Sequence, residues 1–152
     1  METNRDFRDL LFELNAADAR YLVVGGYAVA FHGRPRFTKD LDLLIEATPD
    51  NARRVFLALS CYGAPSGSLI EEDLTNPSMV FQIGVPPNRI DILTEITAVD
   101  FAAAWSRRVE GVYGDCKVAF LAIPDLIANK RAVGRPQDLQ DVAMLERRKG
   151  SS

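Results

Sequence analysis

The sequence predicts an α/β or α+β fold in one domain, with a mixed β-sheet flanked by helices. Three observations carry that expectation. Helix-like and strand-like patterns alternate along the chain. A length of 152 residues suits one domain. A hydrophobic fraction of 47% is enough for a real core and excludes a disordered polymer.

The elements follow in order. Phe7, Leu10, Leu11 and Leu14 recur at helical spacing, so the N-terminal stretch reads as an amphipathic helix. "YLVV" (21–24) reads as a short buried strand, ended by Gly25 and Gly26. "YAVAFHG" (27–33) reads as a short helix with Gly33 as its stop. "RPRFT" (34–38) is a loop, and "KDLDLLIE" (39–46) alternates as a strand does. The clearest helix is "TPDNARRVFLALSCYG" (48–63). Thr48 can cap it, Pro49 suits its first position, and Asp50 favours the positive end of its dipole. Ala52, Val55, Phe56 and Leu59 make its buried face.

"SMVFQIGV" (78–85) and "NRIDILTEI" (88–96) read as two strands joined at Pro86-Pro87-Asn88. "VDFAAAWSRRV" (99–109) is helical. "VYGDCKVAFL" (112–121) is a hairpin turning at Gly114-Asp115. "IPDLIANKRAVG" (123–134) and "RPQDLQDVAMLERRKG" (135–150) are two closing helices. One domain is expected over residues 1–150, with a core at 20–95 and a C-terminal hairpin and helices at 100–148.

Composition excludes several classes. A net charge of -3 argues against a protein that coats nucleic acid through bulk positive charge. Cys61 and Cys116 form no CxxC pair, and His32 is the only histidine, which argues against a zinc site or a disulfide framework. The N-terminus lacks a signal peptide's apolar core, and no apolar run approaches the ~18 residues of a membrane span. A soluble cytoplasmic domain is the expectation.

The stretch "GGYAVAFHGRPRFTKDLDLLIE" (25–46) carries the chemistry. Residues i and i+2 of a strand share a face, so Asp40 and Asp42 are neighbours about 7 Å apart at their roots. Carboxylates held together near a core repel, and desolvation adds to the cost. A divalent cation removes both penalties. All-oxygen ligation favours Mg²⁺ or Mn²⁺ over zinc. Asp91 sits between apolar residues on a later strand and joins the same face if the two strands are adjacent. Three carboxylates can hold two metal ions, which suits an in-line phosphoryl or nucleotidyl displacement. Gly25 and Gly26 end a strand and open a helix, where backbone N–H groups can meet a phosphate closely.

This combination resembles the DNA polymerase β-like nucleotidyltransferase superfamily. The matching elements are "VVGG", the spacer from Tyr27 to Lys39, Asp40-Leu41-Asp42, and Asp91. "RFTKDLD" and "IANKRAVGRPQDLQDVAML" look like a branch of small stand-alone bacterial members similar to AbiEii-type toxins. The resemblance implies a minimal nucleotidyltransferase fold with a short C-terminal helical segment. It implies transfer of a nucleoside monophosphate from a triphosphate to an acceptor hydroxyl, with pyrophosphate released. Asp40, Asp42 and Asp91 would be catalytic and would bind two Mg²⁺ or Mn²⁺ ions. Gly25, Gly26, Arg36 and Lys130 would bind the nucleotide. The acceptor would be a protein, an RNA 3′ end or a small molecule, with a macromolecule favoured. The further partner would be a cognate antitoxin or a second copy of the chain. Two departures stand out. Gly26 replaces a serine found in many active members, and no substantial substrate-recognition domain follows the core.

Other residues read as structural. Arg34 and Thr38 suit a solvated loop and a strand start, and His32 has no partner cluster. Trp105 and the phenylalanines read as core. Asp138 and Asp141 read as dipole-stabilising and ion-paired to nearby arginines. Two alternatives remain: a non-catalytic member that binds a partner, as an antitoxin or dimeric scaffold does, and a metal-dependent phosphohydrolase.

Overall fold

The computed structural model describes residues 3–33, 40–64, 67 and 69–151. The chain opens on α1 (Arg5–Ala16), capped by the Asn4 side chain, which accepts from the backbone N–H groups of Asp6 and Phe7. Phe7, Leu10, Leu11 and Leu14 are fully buried, as their spacing requires. Then come β1 (Tyr21–Val24), α2 (Gly25–His32), β2 (Leu41–Ile45) and α3 (Pro49–Tyr62). Thr48 caps α3 by accepting from Asn51 N at 3.3 Å. After a short 3-10 turn at Glu71–Thr75 come β3 (Val80–Ile83) and β4 (Ile90–Leu93). The remainder is α4 (Phe101–Ser106), the hairpin β5 (Val109–Tyr113) and β6 (Cys116–Phe120), α5 (Ile123–Val133) and α6 (Pro136–Ser151).

The six strands form one mixed sheet in the order β3-β4-β2-β1-β6-β5. β1 lies at its centre, antiparallel to β2 and parallel to β6. β2 and β4 are parallel, and β3 and β5 close the two edges antiparallel to their neighbours. All four residues of β1 are buried, as a central strand covered on both faces demands. α1 and α3 pack on one another, and α5 packs on α6. The α+β class with a mixed sheet, flanking helices and a C-terminal helix is the fold observed. Among the described residues no helix is long and apolar enough to cross a membrane.

Asn51 ties the elements at the sheet end remote from Gly25. Its buried amide accepts from Arg20 N at 2.7 Å and donates to Arg20 O at 3.0 Å and Glu46 O at 2.9 Å. One side chain thus satisfies backbone groups flanking β1 and β2. At the other end, the His32 Nε2 hydrogen lies on the carbonyl of Leu121 at 2.7 Å, and burial lowers the imidazole's pKa. The histidine is structural, as expected. Gly33 caps α2, its N–H donating to the Val29 carbonyl, and it lies against the tip of Met144 of α6.

The placement of every phenylalanine in the core needs correction. Phe12 is 49% exposed and Phe31 38% exposed. Phe31 instead lies flat on Phe120, ring centroids 3.9 Å apart. Trp105 is half-buried, stacked on Phe101 and covered by the Arg108 guanidinium 4.0 Å away. Helical spacing alone does not tell an apolar residue under a neighbouring element from one at its rim.

Candidate active site

The site forms where β1 ends and where β2 and β4 begin. β1 runs into α2 through Gly25, whose φ of +65° is left-handed and disfavours any L side chain. A second constraint falls on the same residue. In the antiparallel β1–β2 register Val24 faces Asp42, and a Cβ on Gly25 would run into the Asp42 carboxylate. Gly25 therefore sets the start of α2 directly against an acidic side chain. Val24, at the N-cap of α2, offers no side-chain cap. Gly26 follows in the first turn of α2.

The adjacency required of the acidic strands is present. β2 and β4 pair in parallel, and Asp42 is the direct partner of Asp91. Partners in register share a face, so the two carboxylates stand side by side. The Asp42 carboxyl is pushed up to about 7, first by burial, then by repulsion from Asp91 and Asp40 and by a hydrogen bond shared with Asp91. Arg89 pulls the other way without cancelling these effects. Asp40, just before β2, holds a buried Oδ1 atom with no hydrogen-bond partner among the described residues.

Arg89 is the residue that sequence reasoning missed. Its Nε donates to Asp91 Oδ1 at 3.0 Å and its NH2 group to Asp91 Oδ2 at 3.1 Å. The same Nε lies 4.0 Å from Asp40 Oδ2. Its pKa is raised, chiefly by the hydrogen bonds to Asp91. The signal was available: Arg89 precedes Asp91 by two positions and so shares its face.

Lys130 lies elsewhere in the ionic pattern. It is buried in α5, its ammonium 3.2 Å from Asp138 Oδ1 and 3.3 Å from Asp141 Oδ2, both on α6. Arg135 adds a fork to Asp138, at 2.7 and 3.2 Å. The arginine pairing expected for these acids is present at Asp138, and both Asp138 and Asp141 are in addition buried partners of Lys130. Arg36 falls outside the described residues, as do Arg34 and Thr38.

A hard divalent cation fits the acidic cluster on donor chemistry. All its donors are carboxylate oxygens, one is buried without a partner among the described residues, and burial beside Asp91 and Asp40 raises the Asp42 carboxyl. The cluster is not a closed cage. Among the described residues no three acidic, histidine or cysteine side chains stand ready as a metal-holding group. Arg89 engages both oxygens of Asp91, so a cation binding there must displace it.

A glycine turn that opens a helix against two adjacent acidic strands is a frame of the nucleotidyltransferase type. The chain belongs to the family described as nucleotidyltransferase of unknown function (DUF6036), which it matches over residues 5–146. No curated protein matches it.

Proposed function

We propose that the chain is a metal-dependent nucleotidyltransferase that moves a nucleoside monophosphate from a triphosphate to an acceptor hydroxyl and releases pyrophosphate. One observation carries the reading: Asp42 and Asp91 lie side by side on parallel strands, with Gly25 pressed against Asp42 at the start of α2. Burying adjacent carboxylates without a cation is costly, and a fold keeps that arrangement when a ligand offsets it.

Asp40, Asp42 and Asp91 would hold two Mg²⁺ or Mn²⁺ ions. These supply charge neutralisation at the phosphates and an acceptor hydroxyl that ionises more readily. Asp42 would ligate as a carboxylate, since bound cations would offset the burial and the repulsion from Asp91 and Asp40 that raise its pKa. Asp91 serves the acceptor side. The first backbone N–H groups of α2, at Gly25 and Gly26, would receive phosphate oxygens. Arg36 and Lys130 are the proposed further nucleotide contacts. Lys130 would have to exchange Asp138 or Asp141 for a phosphoryl oxygen to make its contact. The likeness to AbiEii-type toxins favours a macromolecular acceptor and a cognate antitoxin.

The pairing of Arg89 with Asp91 favours a second reading, a partner-binding protein without catalysis, because it neutralises part of the cluster without a metal. Incubation with each labelled nucleoside triphosphate, Mg²⁺ and total cell RNA or protein separates the two. The enzyme labels an acceptor and releases pyrophosphate. Release of phosphate without labelling would identify a phosphohydrolase, and no turnover at all would leave the partner-binding reading.

A further inference from the structure

The acidic cluster carries its own cation, and that cation is incomplete. Asp40, Asp42 and Asp91 bring three carboxyl groups, and Arg89 is the one cationic side chain that the structure places against them among the described residues. The planar guanidinium occupies the rim. It covers both oxygens of Asp91, stands off Asp40, and leaves Asp40 Oδ1 unpartnered. Its root is fixed, because the Arg89 carbonyl accepts from Leu41 N at 3.1 Å and joins β4 to β2. Its side chain is 33% exposed.

We infer that Arg89 is a placeholder: it holds Asp91 while the site lacks metal, yields it to an arriving divalent cation, and then binds the phosphates of the nucleotide. The inference rests on the nucleotidyltransferase reading above. With Arg89 turned away, a small dication would draw on oxygens of Asp40, Asp42 and Asp91, a convergence that a flat guanidinium does not match. Once a dication sits on Asp91, the guanidinium loses its partner and faces like charge. The nearest anion it can then meet is the substrate's own phosphate chain, whose oxygens suit the same two-pronged donor geometry. Arg89 would thus keep the acidic face from repelling itself in the resting protein and would couple metal entry to nucleotide capture.

The test is Mn²⁺ binding to the full chain without nucleotide, followed by binding of a non-hydrolysable triphosphate at saturating Mn²⁺. Wild type, Arg89→Gln and Arg89→Lys are compared, with folding checked by circular dichroism. Arg89→Gln should bind Mn²⁺ about ten- to a hundredfold more tightly and the triphosphate about tenfold more weakly. Arg89→Lys keeps the charge without the fork and should fall between. If Arg89→Gln does not fold, Arg89→Lys carries the test alone and should gain several-fold in Mn²⁺ affinity. Unchanged Mn²⁺ affinity in the folded variants overturns the placeholder while leaving the enzyme reading intact. Tighter Mn²⁺ binding with unchanged triphosphate binding overturns the second half of the inference. A wild type and variants that all ignore Mn²⁺ overturn both. Tighter Mn²⁺ binding and weaker triphosphate binding, with no labelled acceptor in the transfer assay, support the placeholder and count against the enzyme alone.

Discussion

Two clusters in this protein use the same side-chain chemistry and reach opposite electrostatic states. On α5 and α6, Lys130 and Arg135 face Asp138 and Asp141, two cations against two carboxylates. The Asp138 carboxyl is drawn down to about 2, chiefly by the hydrogen bond from Arg135 and against the effect of burial, with Lys130 helping. At β2 and β4, three carboxylates share Arg89, the one cationic side chain against them among the described residues, and Asp42 rises to about 7. The balanced cluster is buried at Lys130, Asp138 and Asp141 and closes a helix pair. The unbalanced one lies at the mouth of a glycine turn and leaves an oxygen atom unpartnered. Imbalance, rather than the number of acids, sets the cluster of the proposed metal site apart from the structural one.

The comparison breaks most directly at Lys130. Lys130→Ala leaves Asp138 to Arg135 and takes the ammonium from buried Asp141, and should cost about 3–5 kcal/mol in urea unfolding. A cost below about 0.5 kcal/mol would mean that the α5–α6 cluster is not the structural one. Asp42→Asn should do the reverse. The shift from 3.8 to about 7 is worth roughly 4 kcal/mol at pH 8, and the buried asparagine forfeits part of it. A net gain of about 2 kcal/mol in metal-free protein is expected. Mg²⁺ or Mn²⁺ should raise the melting temperature of wild type, further with a triphosphate, and leave Asp42→Asn nearly unmoved. A stabilised variant that still responds fully to metal would remove Asp42 from the ligand set.

Acidity sharpens the contrast, because the two shifts have opposite signs. Asp138 lies below its unfolded pKa, so its contribution is complete above about pH 4 and is lost as pH falls toward 2. Asp42 lies above its unfolded pKa, so metal-free protein should lose stability as pH rises from about 4 to about 7. Urea titrations at pH 3, 5 and 8, with and without Mg²⁺, should show metal flattening only the upper limb. The smallest effect is expected at Arg135→Gln. Its side chain is 71% exposed and Lys130 still holds Asp138, so the loss should stay below about 1 kcal/mol by the same unfolding assay. A larger loss would transfer the anchoring role from Lys130 to the arginine.

Residue by residue, the acidic strands were the legible part of the site. Asp40, Asp42 and Asp91 interrupt apolar alternation, and a charge in a buried pattern announces itself locally. Gly25 was legible as a turn, though its contact with Asp42 depends on the β1–β2 register, which no local pattern states. Arg89 carries no such local mark, because an arginine at the start of a strand is ordinary and only the pairing of β4 with β2 brings it against Asp40 as well as Asp91. The burial of Asp138 and Asp141 was hidden for a different reason. Acids in the first turns of a helix are ordinary, and only the packing of α5 on α6 shows that a lysine meets them. Asn51 had no signal beyond its place in a capped helix, since its partners lie at the ends of two other elements. The same limit explains Phe12 and Phe31, whose exposure depends on what lies across from them.

The central place of β1 also sets an order on assembly. Its antiparallel neighbour β2 follows soon in the chain, but its parallel neighbour is reached only when Val23 meets Phe120. A nascent chain that has emerged as far as Ile96 holds both acidic strands and the glycine turn, yet one edge of β1 is still bare. Such an edge is a template for pairing with another chain. The C-terminal hairpin therefore closes a vulnerable edge late in synthesis. A fragment cut between β4 and α4 should be prone to self-association, even though it carries every proposed metal ligand.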